Sequence, residues 1–260
     1  MQSIYGEDDR EFVSKRSSKK IQELSRSIAL IVSSDIMKID FFKTLIKAST
    51  LTDFASVCSD ENFANSKALS GCTGFLVGPT TMVTAGHCFQ VDGCGNKKVV
   101  FDVDAQKQVE GGYRVNTSNV FSCKRIIHHS FGNREDYAVI ELDREVKNRP
   151  LLKINREGLK NEETSVFMIG HPLGLPLMYS KKTPVLKETN EWEISARLDA
   201  FQGNSGSPVF NAETFEVEGI LVNGQGDFYP DPEVGCSRNM SYHDDVGGEG
   251  IFRANKIPPF

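Results

Sequence analysis

The sequence lacks the features that would place the chain across a membrane or around a structural metal ion. No run of about 18 apolar residues, the length of a membrane-spanning helix, occurs in it. No cysteine pair has Cys-x-x-Cys spacing and the histidines are scattered, so we expect neither zinc nor another metal. The first ten residues lack the apolar core of a signal peptide. If the protein is exported, we expect its signal to have been removed already.

A strong excess of charge of one sign is also missing. The chain has 30 Lys and Arg against 35 Asp and Glu, which gives a net charge of −5. Nucleic acids and anionic membranes are usually bound by a basic excess, so we expect neither as a partner. The 39% apolar and 25% charged residues are typical of a globular protein. Six cysteines, an even number, favour an oxidising compartment, so we expect a secreted or periplasmic protein.

Short apolar runs and turn signals give a coarse structure along the chain. Ile21 and Leu24 have helical spacing, which predicts a short helix within residues 14–26. Residues 35–56 fit either a helical stripe or shorter strands. From residue 72 the pattern is clearly β, because two apolar runs separated by Pro79-Thr80 predict a hairpin.

The loop Asp199-Ala-Phe-Gln-Gly-Asn-Ser-Gly-Ser-Pro208 has almost no side-chain bulk around Ser205. A serine presented in this way can attack a carbonyl group, and the N–H groups of Gly203 and Ser205 can hold the oxyanion that develops. A plain Gly/Ser turn between two strands is the alternative.

Two further motifs bear on this loop. Thr-Ala-Gly-His-Cys at 84–88 places His87 directly after an apolar run. Asp136 alternates in phase with Ala138 and Ile140, so its carboxylate faces the core side of a strand and needs a hydrogen-bond donor there. An imidazole N–H is such a donor; a carboxylate that caps a turn is the alternative.

In the order His, Asp, Ser these motifs resemble the chymotrypsin-fold serine proteases. The resemblance implies an all-β fold of two packed six-stranded antiparallel β-barrels with a short N-terminal helical segment. Residues 1–26 would form an N-terminal extension, residues 27–150 the barrel with His87 and Asp136, and residues 151–260 the barrel with Ser205. His87 would act as the general base and Asp136 would orient it; no cofactor is needed.

The cysteine next to the histidine strengthens the resemblance. Cys72 and Cys88 have the spacing of the disulfide that lies beside the catalytic histidine in this family. The other four cysteines allow three pairings, of which we favour Cys94–Cys123 and Cys58–Cys236.

Substrate preference is less sharply indicated. Asn204 stands where trypsin has an activating aspartate, so trypsin-type activation is not expected, and the motif looks like the bacterial V8-type glutamyl endopeptidases. Yet Ala200 and Leu221 occupy the places of the threonine and histidine that bind glutamate there. Asp199 lies six residues before Ser205, as in trypsin, which favours Lys or Arg before the cleaved bond (P1), over apolar, small or acidic residues. The other residues expected in the substrate subsites are Gln202, Val222, Asn223 and Gly224.

Two other functions compete with the V8-like or trypsin-like endopeptidase. A catalytically silent binding protein could use the same fold, although every triad position and both glycines beside the serine are present. An HtrA-like protease is suggested by Gly-Asn-Ser-Gly, but we expect no PDZ domain within residues 206–260. The expected partners are polypeptide substrates and a protein inhibitor, and the expected assembly is a monomer.

Overall fold

A computed structural model of the chain describes residues 4–90, 93–159, 164–188, 190–243 and 247–260. The strands of the first half are Ile4–Tyr5 (β1), Glu11–Phe12 (β2), Ile28–Ser33 (β3), Met37–Ile39 (β4), Lys43–Lys47 (β5), Ser49–Thr50 (β6), Lys67–Ala68 (β7), Cys72–Leu76 (β8), Thr81–Thr84 (β9), Lys97–Phe101 (β10), Gln108–Val109 (β11), Gly112–Asn116 (β12), Val120–Gly132 (β13) and Glu135–Leu142 (β14). Those of the second half are Ser165–Gly170 (β15), Met178–Glu188 (β16), Glu193–Ala196 (β17), Pro208–Asn211 (β18), Val217–Asn223 (β19), Phe228–Asp231 (β20), Cys236–Asn239 (β21), Ser241–Tyr242 (β22) and Glu249–Arg253 (β23).

The described residues form two α-helices, Lys19–Ser25 (α1) and Leu51–Ala55 (α2). Ser18 caps α1, because its hydroxyl accepts a hydrogen bond from the Ile21 N–H at 3.2 Å. Leu24 is the apolar residue that α1 buries. The short N-terminal helix expected within residues 14–26 is therefore confirmed.

The first barrel is a closed antiparallel ring of six strands in the order β10-β13-β14-β9-β8-β3. Its hairpin β8–β9 pairs Gly74 with Thr84, as the turn signal at Pro79-Thr80 predicts. Alternate residues of these strands point inward, since successive side chains of a strand lie on opposite faces. Phe75, Met82 and Val99 are among the fully buried residues of this core.

The second barrel has the strand order β15-β18-β19-β23-β17-β16, and pairing of β15 with β16 closes it. All of these pairs are antiparallel. The predicted fold of two packed six-stranded antiparallel barrels is therefore confirmed. One strand of the N-terminal segment, β2, adds to the edge of this sheet by pairing with β16.

The chain between β3 and β8, which the sequence left open, contains short strands and α2. Strands β4 and β5 join β11 and β12 in a four-stranded sheet with the order β11-β12-β5-β4. Thr44 and Ile46 of β5 are buried on one face of this sheet. The buried Tyr113 of β12 donates its hydroxyl to the carbonyl oxygen of Gly174 at 2.9 Å, which ties the sheet to the second half of the chain.

Three disulfides cross-link the structure: Cys72–Cys88, Cys94–Cys123 and Cys58–Cys236. The last joins residues 178 positions apart and connects the loop after α2 to β21. Among the described residues, no helix has the length and apolar character that a membrane crossing requires.

Candidate active site

His87 lies on a short 3₁₀ turn, Gly86–Phe89, directly after β9 of the first barrel. The turn fits closely against β13 and β14, because a Cβ at Gly86 would clash with the carbonyl oxygen of Ser130. His129 adds a contact that sequence reasoning missed: its Nε2 lies 2.9 Å from the Gly86 carbonyl oxygen, a distance at which a protonated Nε2 donates. These contacts hold the backbone of residue 87 in place.

Asp136 lies on β14 and binds His87 at two points. Its Oδ1 accepts the backbone N–H of His87 at 2.9 Å, and its Oδ2 lies 2.7 Å from the ring Nδ1. The side chains of His87 and Asp136 are 27% and 15% exposed, so the pair is largely shielded from water while the ring still reaches solvent. An ionised carboxylate only accepts hydrogen bonds, so the ring proton resides on Nδ1 and leaves Nε2 as an acceptor.

The serine loop comes from the second barrel and docks on the first through Thr73 of β8. The Thr73 N–H donates to the Ser205 carbonyl oxygen, and the Thr73 hydroxyl donates to that of Gly203, both at 2.9 Å. Gly206 has φ +84°, and a Cβ there would clash with Thr84 and Thr73. Because Thr84 lies three residues before His87, this docking brings Ser205 beside the histidine turn.

The disulfide beside His87 also contacts the loop. The sulfur of Cys88 lies 3.9 Å from the Ser205 carbonyl oxygen. One potential metal-binding group occurs among the described residues, formed by Cys72, His87 and Cys88. Both of its sulfurs are consumed in the disulfide, so they cannot serve as thiolate ligands.

Beside the Ser205 side chain, the backbone N–H groups of Gly203 and Ser205 have no acceptor within the described part of the chain, as is also the case for Asp199, Ala200 and Phe201 at the start of the loop. Their neighbours are engaged, since the Asn204 N–H donates to Phe201 at 3.1 Å and the Gly206 N–H to Leu221 at 2.7 Å. The described residues show no hydrogen bond between the Ser205 hydroxyl and the His87 ring. Such contacts are often long in enzymes without substrate and tighten on binding.

Asp199, expected at the floor of the specificity pocket, is 3% exposed and bound by the N-terminal segment. Its Oδ1 accepts the N–H of Tyr5 and its Oδ2 that of Asp9, both at 2.8 Å. The two hydrogen bonds lower the pKa of Asp199, but burial has the larger effect and raises it to about 7. Arg10 anchors the same segment, because its guanidinium stacks 3.7 Å from the centre of the Phe201 ring and is 2.8 Å from Asp8.

Two more carboxyl groups surround this end of the serine loop, and sequence reasoning identified neither. Glu249 is fully buried, accepts the Tyr5 hydroxyl at 3.0 Å, and lies so close to Gly224 that a Cβ there would clash with its carboxylate. Asp227 accepts the Gln202 N–H at 3.1 Å. Burial raises the pKa of Glu249 to about 9 and that of Asp227 to about 7.

The other expected subsite residues are distributed between core and cleft. Ala200 and Leu221 are fully buried in the core of the second barrel. Val222 and Asn223 border an open cleft of about 500 Å³ beside His87, whereas Gln202 is exposed at the loop surface. Phe131 borders the cleft as well, with its ring centre 6.0 Å from that of His87.

His171, which is outside the proposed triad, also contacts the residues that position the serine loop. It begins a turn, but it is 1% exposed and its Nδ1 lies 3.0 Å from the Leu175 carbonyl oxygen. Burial lowers its pKa to about 4, so the ring is neutral. Its backbone N–H donates to the Thr73 hydroxyl at 3.0 Å, which links it to the contacts that position the serine loop.

The two barrels and the site between them define a chymotrypsin-fold protein. The trypsin-like peptidase domain model matches residues 72–220, more than half of the chain, and the chain belongs to this family. It is 25% identical over 197 residues to the "Extracellular metalloprotease" of Bacillus subtilis (strain 168), an alignment that covers 72% of this chain and 61% of that relative.

Solved structures share the fold. A Glu endopeptidase in complex with MPD superimposes with a TM-score of 0.58 at 17% identity, covering 96% of this chain and 93% of the other. The VesB protease of Vibrio cholerae superimposes with a TM-score of 0.55 at 13% identity, covering 95% of this chain and 64% of the other.

Proposed function

We propose that the protein is a serine endopeptidase that hydrolyses peptide bonds through an acyl-enzyme formed on Ser205. The observation that carries the proposal is the double hydrogen bond of Asp136 to His87, at 2.9 and 2.7 Å, beside a serine loop fixed by Thr73. Family membership supports the same reaction class.

In this mechanism His87 Nε2 takes the proton of the Ser205 hydroxyl as the oxygen attacks the substrate carbonyl carbon. Asp136 keeps the Nδ1–H tautomer in place and stabilises the imidazolium that forms. The N–H groups of Gly203 and Ser205 receive the oxyanion, which their lack of another acceptor supports. His87 then protonates the leaving amine, and water releases the acyl group by the same steps in reverse.

For the P1 position we propose a preference for Lys or Arg. Three largely buried carboxyl groups, those of Asp199, Asp227 and Glu249, lie around this end of the loop, and burial raises the pKa of each, which favours the neutral form. A cationic P1 side chain would favour their ionised form and pair with it, whereas a P1 glutamate would add a fourth acidic group to this region. Asp199 would act at a distance, because the Tyr5 and Asp9 N–H groups already bind its oxygens.

We also propose that the enzyme works outside the cytoplasm, in a secreted or periplasmic location, as a monomer. Three disulfides and the extracellular relative support the location. Polypeptides are its proposed substrates, and a protein inhibitor is a proposed partner.

A fluorophosphonate probe tests the reaction, since it labels only an activated serine. We expect the wild-type protein to be labelled and the Ser205→Ala variant to remain unlabelled. Absence of labelling in the folded wild-type protein would instead identify a catalytically silent member of the fold. Cleavage of a diverse peptide pool then tests P1, and no enrichment of Lys or Arg before the cut would contradict the proposed preference.

A further inference from the structure

The hairpin between β4 and β5 carries apolar side chains that nothing in the described structure covers. Ile39, Phe41 and Phe42 are 53%, 82% and 75% exposed. The two phenylalanine rings meet edge to face with their centres 4.7 Å apart. We call residues 39–42 the aromatic tip. A soluble protein rarely places two adjacent phenylalanines in water without a binding role for them.

The outer face of the adjoining sheet is basic. Lys43 and Lys47 of β5 share a face with Leu45, because side chains two residues apart lie on the same side of a strand. The strand register pairs Leu45 with Lys38 of β4 and with Arg114 of β12, so those two side chains lie on the same face. We call Lys38, Lys43, Lys47 and Arg114 the basic face, and all four are exposed.

These four cations have no acidic partner among the residues that the structure describes. Within the described residues none of them takes part in an ion pair, and Lys43 donates only to the Asn116 side chain, at 2.6 Å. Asp40 is the acidic residue of the tip, and one of its oxygens accepts the Phe41 N–H at 2.7 Å. An unneutralised basic face on a chain of net charge −5 is a local feature that the overall charge conceals.

We propose that the aromatic tip and the basic face together form a docking surface for an anionic phospholipid membrane. The tip is the end of a hairpin and therefore convex, so it can insert into a lipid interface without a preformed groove on a partner. The phenylalanine rings enter the acyl boundary while the flanking cations meet the lipid phosphates and carboxylates. A duplex nucleic acid or a sulfated polysaccharide would match the charge but would leave the rings in water.

The surface lies apart from the catalytic cleft. Residues 38–47 belong to the chain between β3 and β8, and no residue of the tip or the basic face lines the cleft beside His87. The docking surface and the cleft thus share no lining residue, so a membrane on one does not occupy the other. The proposal departs from the expectation, drawn from the net charge alone, that no membrane is a partner.

Co-sedimentation with lipid vesicles tests the proposal. We expect the full-length protein to bind phosphatidylcholine vesicles that contain about one third phosphatidylserine, and to bind pure phosphatidylcholine vesicles much more weakly. Raising the salt concentration should weaken binding, because a shorter Debye length screens the basic face. The F41A/F42A variant should partition about a hundredfold less, since each ring loses its apolar burial.

Charge variants show whether the basic face itself binds the vesicles or whether any exposed cation of the protein has the same effect. K38S/K47S should lower partition about fivefold for each charge removed, and Asp40→Asn should raise it. The matched control K15S/R16S removes two exposed cations just before α1, outside the basic face, and should change partition less than twofold. Thermal unfolding and fluorophosphonate labelling should be the same in all four variants, because every substituted residue is exposed and outside the cleft.

Three results would overturn the proposal. The first is no preference for anionic vesicles, and the second is vesicle binding that neither the tip nor the basic-face variant reduces. The third is a different occupant: binding to DNA or heparin but not to vesicles, or a dimer that F41A/F42A converts to a monomer. Labelling of Ser205 is unaffected by any of these results, so they leave the proposed peptidase function standing.

Discussion

Replacing Asp136 with asparagine tests the central contact of the candidate site. Asp136 accepts two hydrogen bonds from His87, one from the backbone N–H at 2.9 Å and one at the ring Nδ1 at 2.7 Å. Asparagine has one acceptor oxygen and one NH₂ donor. The backbone N–H cannot become an acceptor, so the asparagine oxygen must face it and the NH₂ group must face Nδ1.

The ring adapts by changing its tautomer, which moves the proton from Nδ1 to Nε2. A protonated Nε2 cannot take the proton of Ser205, so the general base is lost while the geometry is kept. We expect kcat/KM for peptide cleavage to fall about 10⁴-fold, equivalent to about 5 kcal/mol of transition-state stabilisation. The rate of fluorophosphonate labelling should fall in parallel.

Asp143→Asn is the matched control. Asp143 also accepts a backbone N–H, that of Ser122 at 3.1 Å, but it lies on the surface away from His87. Its variant should retain activity within about twofold. A folded Asp136→Asn enzyme with more than a tenth of the wild-type activity would refute the assignment of Asp136 as the residue that orients His87.

Four further outcomes follow from the contacts described. Thr73→Val leaves the His171 N–H and the Gly203 carbonyl oxygen without their hydrogen bonds, so the free energy of unfolding measured in urea should fall by about 2–4 kcal/mol and labelling of Ser205 should slow. Thr73→Ser keeps both hydrogen bonds and should behave like wild type. Equal stability of the valine variant and the wild-type protein would refute this role of Thr73. The stability of Glu249→Gln relative to the wild-type protein should rise as the pH increases from 4.5 to 9. In this range the Glu249 carboxyl is ionised in the unfolded wild-type chain but still protonated in the fold, so the wild-type fold loses stability. A constant difference in stability across this range would contradict the raised pKa. Deleting residues 1–12 removes both N–H donors of Asp199 and should lower the melting temperature and peptide cleavage together; a shortened chain with wild-type cleavage would argue against the role of the segment. In the chain-entropy model, the free energy of unfolding should fall by about 5 kcal/mol in C58S/C236S and by about 3 kcal/mol in C72S/C88S, because the first disulfide closes the longer loop. A larger loss for C72S/C88S in denaturant unfolding would contradict the model for this protein.

The sequence predicts those parts of the site that local chemistry determines. Ser205 stands in a loop of small residues, His87 at the end of an apolar run, and Asp136 in phase with a buried strand face, so each could be proposed as a site residue from its neighbours. The residue types around Asp199 gave no comparable signal for its partners. It is held by backbone N–H groups, and that of Tyr5 lies 194 positions away. A backbone donor has no sequence signature, so the docking of the N-terminal segment on this carboxylate emerged only from the fold.

The same reasoning explains why residues 35–56 could not be assigned. Lys43-Thr-Leu-Ile-Lys47 alternates as a strand should, but the neighbouring apolar residues also fit a helical stripe. Pairing with a distant strand makes residues 43–47 a strand. β5 pairs with β12 in a register that places Lys43 opposite Asn116, which lies far along the chain. Long-range pairing of this kind depends on the barrel as a whole rather than on any short window of the chain.

The candidate site is divided between the two barrels, so a small number of contacts between the barrels determine its geometry. His87 and Asp136 belong to the first barrel and Ser205 to the second, so their alignment depends on how the barrels pack. Thr73 supplies this alignment directly, because its backbone and hydroxyl bind two carbonyl groups of the serine loop. Tyr137 of β14, next to Asp136, stacks on Phe252 of the second barrel with ring centres 5.5 Å apart. Each residue proposed for catalysis is thus adjacent to a contact that joins the barrels, and a shift between the barrels displaces serine and histidine relative to each other.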